Sequence, residues 1–239
     1  MRAVVLVSGG MDSLVTAATA VAAGRECAFL HVKYGQRTAN RERASFEAIS
    51  DFYQPYKHLV ADIGYLAAIG GSALTDAAIP VPEVGASPAD TKASAQEGTA
   101  RRALTGNSVP ATYVPFRNAH FIAIATSLAE VEGAEEIYIG ATEVDYSGYP
   151  DCRREFYDAF EKAIEAGTKP ETHIRIVTPV ICMSKAEIVR EGLRLGAPFQ
   201  LSWSCYTNTD RACGKCESCV LRLKGFAEAG VRDPLAYAK

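Results

Sequence analysis

Ala3-Val-Val-Leu-Val-Ser-Gly-Gly-Met-Asp-Ser13 decides the fold: an unbroken apolar run, two glycines, and then the opening of a helix-like segment. Apolar residues in succession, without alternation, describe a strand covered on both faces, as in a parallel sheet. Gly9 and Gly10 allow positive φ and a close approach of backbone to ligand. The N–H groups that follow belong to a helix N-terminus, which carries about half a positive charge. Together with the hydroxyls of Ser8 and Ser13 they make an anion site suited to phosphates. Asp12 would repel a phosphate unless a divalent cation stood between them, so it is expected to help hold Mg²⁺. The plain alternative is a serine-capped turn that binds nothing. The loop is neither a Walker loop nor a dinucleotide fingerprint.

Outward from this loop, strand-like and helix-like segments alternate, which predicts an α/β fold with a parallel sheet. A helix is expected over 14–23 with Gly24 as its C-cap, then a strand over 27–32, a polar helix near 37–52 and a strand over 57–61. Residues 64–110 are rich in Gly, Ala, Ser, Thr and Pro, and a structureless loop of that length predicts short helices or a lid-like insertion. Regular structure is expected to return at 113–115, with helices near 118–132 and 153–166 and strands over 137–140 and 174–180. Ser184-Lys-Ala-Glu187 has the capping-box form and starts a helix that Gly196 and Pro198 stop. Residues 1–200 thus form the expected nucleotide-binding α/β domain. Residues 201–239 form a small cysteine-bearing region.

The chain of 239 residues suits one domain with a small appendage. A net charge of −3 gives no general attraction to nucleic acid. No apolar run approaches the roughly 20 residues of a membrane span, and the start of the chain lacks signal-peptide features, so a cytoplasmic enzyme is expected. Seven cysteines in a reducing compartment argue for metal or reactivity rather than disulfides. Four of them, Cys205, Cys213, Cys216 and Cys219, are spaced C-x7-C-x2-C-x2-C. That spacing suits a closed, structural zinc site with no position left for a catalytic water. An iron–sulfur cluster is the open alternative. Cys27 and Cys182 stand in apolar stretches and are expected in the core.

The Ser8–Ser13 loop resembles the SGGxDS loop of the PP-loop ATP pyrophosphatases. Further along stand His31-Val-Lys-Tyr-Gly-Gln-Arg37, Ser72-Ala-Leu-Thr75, Val114-Pro-Phe-Arg-Asn118, Met183-Ser-Lys-Ala-Glu187, Ser204-Cys-Tyr206 and Ala212-Cys-Gly-x-Cys-x-x-Cys219. The most specific stretch is Gly140-Ala-Thr-Glu-Val-Asp-Tyr-Ser-Gly-Tyr-Pro-Asp-Cys-Arg153. With these motifs the chain resembles the 7-cyano-7-deazaguanine synthase family essentially end to end. Only 83–108 departs from the family pattern, being longer than usual, and it receives no role. The resemblance implies an adenine nucleotide α-hydrolase-like fold and a ligase joining 7-carboxy-7-deazaguanine and ammonia. Two ATP would be used, giving the nitrile preQ0 of queuosine biosynthesis. It also implies a homodimer and small-molecule partners, with neither nucleic acid nor membrane.

Residue roles follow as expectations. Ser8, Gly9, Gly10, Met11 and Ser13 cradle the ATP phosphates beside Asp12. Arg117 and Lys185 make charge-assisted contacts to phosphates or to the leaving group. Tyr34, Gln36, Tyr146, Tyr149, Asp151 and Arg153 supply a platform and hydrogen bonds for a guanine-like base at strand ends. One rival is a PP-loop tRNA-thiolating enzyme, which needs a sulfur-carrying cysteine near the nucleotide. A second is a zinc-containing nucleic-acid module using Arg211, Lys215, Arg222 and Lys224.

Overall fold

The apolar run that opens the chain is the central strand of a five-stranded, fully parallel sheet in the computed structural model, which describes residues 1–84, 109–143 and 148–238. The strands are β1 (Arg2–Leu6), β2 (Glu26–Lys33), β3 (Lys57–Asp62), β4 (Glu136–Ile139) and β5 (Arg175–Val177), in the order β3-β2-β1-β4-β5. Between them run α1 (Met11–Ala22), α2 (Ala39–Tyr53), α3 (Tyr65–Ile69), α4 (Arg117–Glu132), α5 (Arg154–Gly167), α6 (Lys185–Arg194) and α7 (Glu217–Glu228). The chain winds outward from β1 in one direction and then in the other. This leaves a crevice at the carboxyl ends of the central strands, where open α/β sheets bind ligands.

Both faces of the sheet are covered, which is why β1 shows no alternation. Val4, Leu6, Leu30 and Ile137 pack with Ile122 of α4 and with Tyr157 and Ile164 of α5. Ala3, Val5, Phe29 and Tyr138 point the opposite way, toward Leu14 of α1, Ile49 of α2, Ile188 of α6 and Phe226 of α7. Each of the Val, Leu, Ile and Phe side chains contributes roughly 1.5–3 kcal/mol on burial.

Several boundaries differ from the sequence reading. β5 ends at Val177 rather than at 180, since Pro179 cannot donate to a ladder and the chain turns through Ile181 N–H to Thr178 O and Met183 N–H to Val180 O. Cys182 rides on this turn and is exposed, correcting its expected core position, whereas Cys27 is buried in β2. The stretch 113–115 is not regular structure: it joins two turns, closed by Tyr113 N–H to Pro110 O and by Arg117 N–H to Val114 O. The 64–110 insertion begins as turns around the short helix α3. Val84 N–H then reaches Lys215 O beside the cysteine cluster, and residues 85–108 lie outside the described residues.

The capping box forms as expected: Ser184 Oγ accepts from Glu187 N–H, and Glu187 Oε2 accepts from Ser184 N–H. The C-terminal region is pinned by α7 packing on α6 and by a buried ion pair. Arg222 Nε and Nη2 reach Asp233 at 2.7 and 3.0 Å, with both side chains almost wholly buried. Burial alone would raise the Asp233 carboxyl, but the hydrogen bonds and charge of Arg222 hold it below the usual range. Because the folded value is depressed, this stability is present above the unfolded pKa and is lost as pH falls through the folded one. Asp233→Asn leaves Arg222 buried without its counter-charge and is expected to cost about 3–5 kcal/mol. Thermal unfolding at neutral pH should show a drop of roughly 6–20 °C, and the difference from the parent protein should narrow in acid.

Candidate active site and metal centre

The crevice floor is the loop between β1 and α1. Gly9 takes φ +90°, and a Cβ there would stand 2.6 Å from Glu42 O, so no other residue fits without moving α2. Gly10 is the N-cap of α1 and offers no side-chain cap. The first amides of the helix, Met11 to Ser13, therefore have no intrahelical partner, and the residues that carry them line the cleft. Ser13 Oγ donates to Gly10 O at 3.0 Å and accepts from Ser8 N–H at 3.2 Å, while Ser8 Oγ stands 3.0 Å from it. The two hydroxyls thus hold the loop's shape and edge the cleft. Gly140, just after β4, allows the close approach of that chain to the loop: a Cβ there would stand 2.8 Å from both the Asp12 carbonyl carbon and the Ser13 nitrogen. Gly9→Ala is expected to distort the loop and lower activity on the order of 100-fold, measured as kcat/KM with the helix content unchanged.

Two cations face this floor. Lys185 is the first residue of α6, where a positive charge opposes the helix dipole; Asp12 Oδ2 holds its Nζ at 2.9 Å. Asp12 Oδ1 is buried and has no partner among the described residues. Arg117 opens α4 beside Phe116, which adopts the left-handed φ of 58°. Such strain in a non-glycine residue persists only where its surroundings impose it. Here Phe116 N–H donates to Tyr113 Oη, and Asp151 Oδ2 accepts from Asn118 N–H at 2.9 Å. The Arg117 guanidinium lies over the rings of Tyr34 and Phe121, 5.1 and 5.3 Å from their centres. It donates to Tyr34 Oη and Asn118 Oδ1, and its buried Nε has no partner among the described residues.

The expected base-binding residues divide. Tyr34 and Tyr149 line the cleft, the latter donating to Thr112 Oγ1. Gln36 is buried just outside it, bonded to Tyr34 N–H and Glu42, and shapes the turn after β2. Asp151 caps α4 from a distance, and burial pushes its carboxyl up against the pull of the Asn118 N–H. Arg153 is exposed, pairs with Glu155 and borders a separate shallow depression. Tyr146 lies outside the described residues.

The sequence reading missed Glu42, Phe121, Cys152, Trp203, Tyr206 and Glu217, all of which line the cleft. Most stand within or beside the quoted motifs, so motif position was the available signal. Cys152 is buried, and burial pushes its thiol up to about 11. It is therefore protonated at neutral pH and is a poor nucleophile. Trp203 N–H bonds to Gly9 O, and Arg41 lies over its ring, so the C-terminal segment docks directly on the phosphate loop.

Behind that segment the sulfurs of Cys205, Cys213, Cys216 and Cys219 lie within 4.8 Å of one another, with Cys213 and Cys219 at 3.8 Å. A tetrahedron with metal–sulfur bonds of ~2.3 Å has sulfur–sulfur edges of roughly 3.8 Å. Backbone N–H groups of Asn208 and Cys213 point at Cys205 Sγ, and those of Lys215 and Cys216 at Cys213 Sγ. Donors aimed at sulfur favour thiolates, and the cluster fits a metal ion.

Orphan helix amides confronting a lysine and an arginine, at the carboxyl ends of parallel strands, suit a nucleotide whose phosphates are being rearranged. The fold and cleft together define an α/β nucleotide-binding enzyme of PP-loop type. More narrowly, the chain belongs to the family described as queuosine biosynthesis protein QueC, whose model matches residues 2–230. It is 55% identical over 237 residues to the 7-cyano-7-deazaguanine synthase of Chlorobaculum parvum, covering 99% of this chain and 96% of that one. It is also 55% identical to that of Chlorobium phaeobacteroides (99% and 97%) and 54% to that of Chlorobaculum tepidum (99% and 96%). Among the described residues no helix is long and apolar enough to cross a membrane.

Proposed function

We propose that the chain converts 7-carboxy-7-deazaguanine and ammonia into 7-cyano-7-deazaguanine with two ATP, each cleaved to AMP and pyrophosphate. The observation that carries this reading is the unpartnered amide cluster of α1 set against Arg117 and Lys185, in a chain whose relatives bear the synthase name. A carboxylate is a poor electrophile because its leaving group would be oxide. Attack of a carboxylate oxygen on the α-phosphorus releases pyrophosphate and leaves an acyl adenylate. Ammonia displaces AMP and gives the amide. The amide oxygen then attacks a second ATP, and loss of AMP with a proton forms the C≡N bond.

In this scheme the Met11 to Ser13 amides and the loop hydroxyls hold the departing pyrophosphate. Lys185 neutralises charge building on the phosphates. Arg117, stacked on Tyr34 and Phe121, orients the carboxylate and later the amide oxygen. Asp12 Oδ1 would hold Mg²⁺, which supplies charge neutralisation at the phosphates. No protein nucleophile is needed, in keeping with the raised Cys152 thiol. That same thiol counts against a thiolation role, and the net charge of −3 favours small-molecule partners over nucleic acid.

The cysteine cluster is read as structural zinc, since a [4Fe–4S] cube sets its cysteine sulfurs farther apart than a single shared ion does. On this reading residues 1–200 bind the nucleotide, and 201–239 form a metal-pinned wall of a cytoplasmic homodimer's active site. The test is isotopic. Substrate carrying ¹⁸O in both carboxylate positions should deliver one ¹⁸O to each of the two AMP molecules. Label appearing in water or inorganic phosphate instead would sink the adenylation scheme.

A further inference from the structure

Among the described residues three carboxylates line the cleft: Asp12, Glu42 and Glu217. Two of them are engaged. Asp12 Oδ2 holds Lys185 at 2.9 Å, and Glu42 accepts from Gln36 Nε2 at 2.9 Å and from Thr38 Oγ1 at 2.6 Å. Glu217 has no hydrogen-bond or ion-pair partner among the described residues, although it is only partly exposed. It stands in the first turn of α7, and around it the cleft is lined by Tyr149, Tyr206, Ser218 and Leu221. Tyr149 and Tyr206 line the same cleft as Arg117 and Glu217, and both tyrosines feel the opposing charges of that cation and that carboxylate.

The substrate of the proposed reaction has the complementary polarity. Its carboxylate projects from the five-membered ring, while the opposite edge of the six-membered ring presents N1–H and the 2-amino group as paired donors. A carboxylate accepts both at once through its two oxygens. A ring held between aromatic side chains, with its carboxylate toward Arg117, turns that donor edge away from the cation.

We propose that Glu217 is the specificity-determining residue for the base, accepting hydrogen bonds from the N1–H and 2-amino groups of the deazaguanine. The inference rests on the proposed reaction and adds the residue that selects a guanine-like ring. It also accounts for the location of the cysteine cluster: by fixing the start of α7, Cys216 and Cys219 hold the Glu217 carboxylate in the cleft wall.

The test compares 7-carboxy-7-deazaguanine with its analogue lacking the 2-amino group, using full-length wild-type protein, Glu217→Gln and Glu217→Asp. Wild type should prefer the amino compound by roughly 100-fold in kcat/KM, since a site built around a donor leaves its own acceptor unpaired when that donor is missing. In Glu217→Gln the side-chain amide opposes a donor. KM for the amino compound should therefore rise about 100-fold and the preference should collapse to within a few-fold. KM for ATP and the metal content should be unchanged. Glu217→Asp should recover part of the preference. A preference retained in Glu217→Gln overturns the proposal, as does a change confined to KM for ATP or a loss of metal with both substrates affected equally. Wild type that makes no nitrile from the amino compound overturns the reaction and this proposal together, whereas an active wild type with an undiminished preference in the variant overturns the proposal alone.

Discussion

Arg117→Met is expected to lower kcat/KM for the carboxylate substrate on the order of 1,000-fold, while the melting temperature stays level or rises slightly. The two signs together carry the argument. Among the described residues no carboxylate forms an ion pair with Arg117, and Asp151 acts on it only at longer range; it leans on two aromatic faces, a phenol and an amide, with a buried Nε unsatisfied. A cation held this way costs desolvation and recovers it only when an anion arrives. Methionine keeps the stem packed on Tyr34 and Phe121 and removes a buried charge that no ion pair holds; the relief of desolvation offsets the two hydrogen bonds lost to Tyr34 and Asn118. Arg117→Lys restores a point charge without the fork and should recover only part of the rate. A large fall in melting temperature alongside the lost activity would show instead that Arg117 is a structural residue.

On the proposed reading of one structural zinc per chain, Cys216→Ser is expected to abolish metal binding and to lower the melting temperature on the order of 10 °C. Removing one of four thiolates leaves an open, weak site, and the region that depends on it is not peripheral. The amide of Cys216 points at Cys213 Sγ, and Cys216 is also the N-cap of α7. That helix carries Arg222 and Phe226 into the interior and Glu217 into the cleft. Catalysis should fall with the metal even though no step passes through it. Metal analysis of the parent protein should find zinc without iron or acid-labile sulfide. Iron at more than one atom per chain would reassign the cluster.

The parts of this molecule that were legible in its sequence are those set by local chemistry. The apolar run over 3–7 announced a strand buried on both faces, and the sheet covers it with α4 and α5 on one side and α1, α2, α6 and α7 on the other. The Ser184 capping box needed only short-range spacing and formed as read, and the four cysteines gather as a metal-binding cluster would require. Positions decided by tertiary geometry were not legible. Cys182 looked like a core residue because its neighbours are apolar, but Pro179 ends β5 early and turns it outward. Asp151 and Gln36 read as ligands because they are polar residues in motif loops. Their hydrogen bonds go to Asn118 N–H and to Tyr34 N–H, so they fix the cleft's walls without facing into it. Cys152, Trp203, Tyr206 and Glu217 reach the cleft from distant parts of the chain, and no periodicity or local spacing encodes that convergence.

In the proposed reaction one phosphate loop activates first an acid and then an amide by adenylation. The direct measurement incubates the purified protein with Mg-ATP, ammonia and 7-carboxy-7-deazaguanine and quantifies nitrile and nucleotide products over one time course. The expected products are 7-cyano-7-deazaguanine with two AMP and two pyrophosphate for each nitrile formed. ADP and inorganic phosphate in place of AMP and pyrophosphate, or nucleotide cleavage with no nitrile, would contradict it.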